Sequence, residues 1–129
     1  MRVTRLRVLG LAAMCVAGLG SVMSLARAAD EAKPKHTIKE VMKVAHGKDS
    51  TLLKNIIAGK GTAEEKQQLL DLYISMFEGK PSKGDEDSWK MLAGNAALAA
   101  AKVVVGREGA TKELETATNC KACHSVHKG

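Results

Sequence analysis

The chain has 129 residues, with 20 Lys and Arg against 14 Asp and Glu and a formal charge of +6. Arg2, Arg5, Arg7 and Arg27 stand in the first 28 residues with no acid among them, so the rest carries 16 basic against 14 acidic residues, a net +2. A balance so near zero offers nothing to attract nucleic acid or an anionic membrane, and about a hundred residues suffice for one domain.

In chain order, the first 28 residues divide as an export signal does: arginines, then an apolar stretch from Val8 to about Leu25, then Ala26-Arg27-Ala28. Residues 1–28 are therefore expected to be a cleaved signal peptide, and residues 29–129 an exported, periplasmic domain with no membrane attachment after cleavage. The apolar run is short and interrupted by glycines, which argues against a retained span. Cys15 follows Met14 where a lipoprotein signal would place a small residue, so it reads as part of the lost signal.

Strand signals are nearly absent, and the pattern is all-α. Four helical stretches are separated by clusters around Gly59-Lys60-Gly61, Gly79 to Gly84 and Gly106 to Gly109. The first runs from about Thr37 to Ala58. Gly47-Lys48-Asp49-Ser50 looks like a break, but Ile38, Val41, Met42, Ala45, Leu52, Leu53 and Ile56 stay in helical phase across it. That continuity favours one helix distorted at Gly47, with a fresh start at Ser50 as the alternative.

The second stretch opens on Thr62 with Glu65 as a capping box, carries Leu69, Leu72, Tyr73, Met76 and Phe77 on its apolar face, and stops at Gly79. The third begins in Asp85-Glu86-Asp87-Ser88, acids that suit a helix N-terminus, and sets Trp89, Leu92, Ala93, Ala96, Ala100, Val103 and Val104 on one side. Its alanines imply close helix packing or, as the second reading, space for a flat cofactor. The fourth runs from about Thr111 to Val126. Short linkers between four such stretches predict an antiparallel four-helix bundle.

The fourth stretch holds Cys120-Lys121-Ala122-Cys123-His124, the C-x-x-C-H pattern of covalent haem attachment. Two thiols on one helical turn can add to the two vinyl groups of a haem, and the adjacent imidazole is placed to bind the iron. Composition points the same way, because one Tyr, one Phe and one Trp are little aromatic bulk for a core that a porphyrin would fill. Zinc held by Cys120, Cys123, His124 and His127 would crowd four ligands into eight residues. A redox dithiol lacks its usual βαβ setting, and a disulfide across so short a loop would stabilise little and leave His124 unexplained.

Because only residues 125–129 follow the motif, a sixth iron ligand must come from earlier in the chain. Met42, Met76, Met91, His36, His46 and His127 are the candidates. His127 lies one turn from His124 and belongs near the haem edge or solvent rather than across the ring. Met91 falls off its apolar face. Met42 and Met76 lie on core faces, where methionine is by default filling, so periodicity alone does not choose between them.

With these elements placed, the chain resembles the class II cytochromes c, the cytochrome c′ group and its low-spin relatives. Val41-Met42-Lys43 with the glycine and leucines that follow, and Asn119 to His124, carry the resemblance. In that family the first helix supplies the residue above the open haem face, which is methionine in low-spin members, so the resemblance implies Met42 as sixth ligand. The chain departs from the family after the motif, where His127-Lys128 stands in place of an aromatic residue followed by arginine or lysine. The family often pairs through its first two helices, which brings a homodimer into view.

The expected function is one-electron transfer by a periplasmic monohaem carrier of haem c, bound through Cys120, Cys123, His124 and Met42 and serving redox partner proteins. No activated nucleophile, acid/base pair or phosphate loop suggests an enzyme. The alternative is a five-coordinate, cytochrome c′-like protein that binds NO or CO.

Overall fold

A computed structural model describes residues 33–129, and the expected signal peptide lies outside them. The described chain is helical throughout, with no strand: α1 Ile38–His46, α2 Leu52–Ile57, α3 Ala63–Glu78, α4 Glu86–Val104, α5 Ala110–Ala117 and α6 Cys120–His127. No helix among the described residues is long and apolar enough to cross a membrane.

Side-chain caps account for most helix starts. Thr37 accepts from the Glu40 amide while the Glu40 carboxylate accepts from the Thr37 amide at 2.7 Å, and Thr62 and Glu65 repeat that exchange at α3. Asp85 accepts from the Ser88 amide at 2.8 Å and opens α4, with Glu86 and Asp87 in the first turn complementing the helix dipole. At the other ends, Gly59 and Gly106 take left-handed backbone just past α2 and α4. There the Lys60 and Arg107 amides bond back to the Asn55 and Lys102 carbonyls, closing a Schellman turn at each site.

Two of the four expected stretches are divided. The first breaks after His46, because Gly47 leaves the helix with ψ 153° and an added Cβ there would stand 2.4 Å from the Lys43 carbonyl oxygen. Ser50 then donates to the Val44 carbonyl and accepts from the Leu52 amide at 3.4 Å, which ties α2 back onto α1. Val41, Ala45, Leu52 and Ile56 are all buried despite the break. Phase continuity was therefore no sign of one helix: two short helices each turn an apolar stripe to the same core. The last stretch breaks at Thr118-Asn119, where the Asn119 side chain accepts from the Lys121 and Ala122 amides and starts α6 afresh.

α3 and α4 pack most extensively. α4 also meets α5 and α6, and α1 and α2 lie against α3. The alanine stripe of α4 is close packed, with Ala93 and Ala100 each 1% exposed, so tight helix approach is its main role. Trp89 fixes the start of α4 to the end of α3 by sharing its indole N–H between the Met76 carbonyl at 3.1 Å and the Gly79 carbonyl at 3.0 Å. Phe77, expected in the core, is instead 38% exposed, with the Lys90 ammonium 4.8 Å above its ring. The buried place on that turn goes to Ser75, whose hydroxyl is satisfied by the Asp71 carbonyl.

Candidate functional site

The Asn119 cap settles where the motif stands. It fixes the first turn of α6, so Cys120 and Cys123 fall on adjacent positions of one helical face and His124 follows on the next. Cys120 is exposed, Cys123 half-buried, and both are free thiols. His124 is exposed, in the last turn of α6.

Two cavities flank these side chains. The smaller, about 40 Å³, lies among Met42, His46, Tyr73, Met76, Ala96, Cys120, Cys123 and His124. The larger, about 590 Å³, lies among Ile38, Met42, Met76, Trp89, Cys123 and His124, with Lys39, Lys80 and Lys128 at its wall. The larger falls within the range of roughly 300–1,000 Å³ usual for cofactor pockets. Met42, Met76, Cys123 and His124 belong to both, so one apolar groove runs on either side of the motif. Met42 reaches it from α1 and Met76 from α3. Met42 is partly buried against the core, whereas Met76 is 5% exposed and packed within it.

The donor set fits a covalently held haem. Two unoxidised thiols, a solvent-accessible imidazole and a thioether converge on a groove with predominantly apolar walls, and no Asp or Glu side chain lines either cavity. Burial and the neighbouring Cys120 push the Cys123 thiol up.

The histidines separate by environment. His36 pairs with Asp71 at 3.2 Å, on a carboxylate that also takes the Lys35 ammonium at 2.7 Å. Of the two places expected for His127, solvent is excluded, because it is 6% exposed with both ring nitrogens engaged, and it lines the larger cavity beside His124. Nδ1 lies 3.1 Å from the Lys83 carbonyl, Nε2 lies 3.2 Å from the Ser88 hydroxyl, and the ring meets Trp89 edge-on at 5.4 Å. Gly84, at φ +89°, makes room, since a Cβ there would stand 2.5 Å from Nδ1. His127 therefore clamps the end of α6 to the α3–α4 loop. That engagement removes it from the four-ligand zinc arrangement, and no three His, Cys, Asp or Glu side chains among the described residues gather to hold a metal ion. Met91, 62% exposed, stands on the outer surface.

His46 is the site residue that the sequence left without a role. It is half-buried at the end of α1 and lines the smaller cavity. Its Nε2 stands 3.2 Å from the Tyr73 hydroxyl, and the two rings stack at 5.8 Å and 19°. Burial, followed by the nearby His124, holds the imidazole below its ordinary value of 6.5, while burial pushes the Tyr73 phenol up. A depressed histidine binds fewer protons folded than unfolded. Its contribution to stability is therefore complete above about pH 6.5 and lost as the pH falls towards the lower folded value. Thermal midpoints should decline on acidification through that window, and His46→Gln should remove that part of the slope.

No known family model, curated protein or solved structure matches the chain.

Proposed function

We propose that the chain is an exported, periplasmic electron carrier with one haem c, attached through Cys120 and Cys123 and bound at iron by His124 and Met42. The observation that carries this reading is the meeting of the C-x-x-C-H side chains of α6 with the Met42 thioether of α1 in one apolar groove. α1 with α2, α3, α4, and α5 with α6 supply the four arms of a four-helix bundle around the group.

Bound there, haem supplies a one-electron ferric/ferrous couple. The chain does the rest. Cys120 and Cys123 anchor the group, and the Asn119 cap holds both thiols and His124 in fixed register on α6. Met42 offers a soft sulfur that favours ferrous iron and raises the potential. Lys39, Lys80 and Lys128 set positive charge at the wall of the larger cavity, suited to the haem carboxylates. Cys120 and its neighbours Lys121 and Ala122 are exposed, which leaves the attachment edge within reach of a redox partner.

Optical spectra of the purified ferric and ferrous protein test the assignment. Low-spin spectra unchanged by carbon monoxide are expected. High-spin spectra that respond to carbon monoxide would move the protein to the gas-binding class.

A further inference from the structure

We propose that His46 is a second iron ligand held in reserve beside Met42, an inference that rests on the haem assignment above. His46 lies one helical turn from Met42, so both project from the same face of α1 into the cavity bounded by Cys120, Cys123 and His124. A half-buried imidazole in an apolar wall calls for an explanation, and the core does not need one there. Tyr73 supplies part of it. Its phenol is 0% exposed and stands 3.2 Å from Nε2, and in the tautomer protonated at Nδ1 the hydroxyl donates to the Nε2 lone pair.

That lone pair is the one an iron would take. With haem bound, the Tyr73 hydroxyl and the metal would compete for the same nitrogen, and the hydrogen bond would park the imidazole while the Met42 sulfur held the iron. Exchange would break the iron–sulfur bond and the Tyr73 hydrogen bond and form an iron–nitrogen bond, with no electron or proton gained or lost. The backbone gives His46 room to move. It is the last residue of α1, directly before Gly47, and a terminal turn rearranges more easily than a helix interior. His127 and His36 cannot serve in its place, since His127 is clamped at both nitrogens by Lys83 and Ser88 and His36 lines neither cavity.

The test uses Met42→Leu, which removes the sulfur while nearly conserving volume, in haem-loaded protein whose haem content is first established by mass. A mass without haem would sink the functional assignment itself, which keeps that failure distinct from failure of the reserve ligand. With haem present, Met42→Leu should stay low-spin in the ferric state, show bis-imidazole electron paramagnetic resonance, and titrate at a lower potential than the parent. Met42→Leu with His46→Leu should become high-spin and bind carbon monoxide, while His46→Leu alone should keep the parent spectrum. Should Met42→Leu fold poorly, Met42→Ala with and without His46→Leu gives the same comparison. High-spin iron in the single Met42 variant, or low-spin iron surviving in the double variant, would overturn the proposal.

Discussion

Replacing Trp89 with alanine is expected to cost about 3–5 kcal/mol in chemical denaturation, a large share of the roughly 5–15 kcal/mol that holds a domain of this size. Trp89 is 4% exposed, the bulkiest side chain in the core, and it packs edge-on against His127. Its indole N–H is also the shared donor for the Met76 and Gly79 carbonyls. Trp89→Phe separates the two contributions. Phenylalanine keeps most of the ring but strands both carbonyls, a loss of about 1–3 kcal/mol. If the two variants lose the same stability, the hydrogen bonds rather than the ring volume secure the α3–α4 corner.

His124→Ala should leave the fold standing and abolish the low-spin spectrum. Without haem the imidazole is exposed, in the last turn of α6, so its removal should change the folding stability of the haem-free chain by no more than about 0.5 kcal/mol. Haem should remain attached, since both thioether bonds are independent of this residue, but its iron loses the proximal nitrogen and the ferrous protein becomes reactive towards carbon monoxide. The contrast with Trp89 is diagnostic: one residue supports structure, the other chemistry. A His124→Ala protein with an unaltered spectrum would remove His124 from the iron.

How much of this could be read in advance depended on how local the physics was. The capping box of Thr62 with Glu65, the start of α4 within residues 85–88 and the stop at Gly79 are decided within four residues, and the structure places them where the pattern does. The break after His46 has a local signal in Gly47-Lys48-Asp49-Ser50, but helical phase runs through it, and two helices packing on one core reproduce that phase equally well. Asn119 carried a plain capping signal that the haem motif beside it obscured. Phe77 shows the coarseness of a helical wheel, because a residue at the margin of an apolar stripe can turn outward when glycine at position 94 and a lysine offer its ring a shallow seat.

The site divides in the same way. The placement of Cys120, Cys123 and His124 together on one helix is legible because they are adjacent in the chain. Met42 became a candidate by periodicity and a preference only through resemblance, and its presence in the groove is a tertiary fact. The burial of His127 depends on the Lys83 carbonyl and the Ser88 hydroxyl, and the pairing of His46 on the Tyr73 hydroxyl across two helices. Nothing in the local pattern marks either partner.

Mass spectrometry of the protein produced alongside the machinery that attaches haem addresses the central claim most directly. The mature chain should weigh its polypeptide plus one haem, and the added mass should survive denaturation, as thioether bonds through Cys120 and Cys123 require. A mass equal to the bare polypeptide would contradict the account.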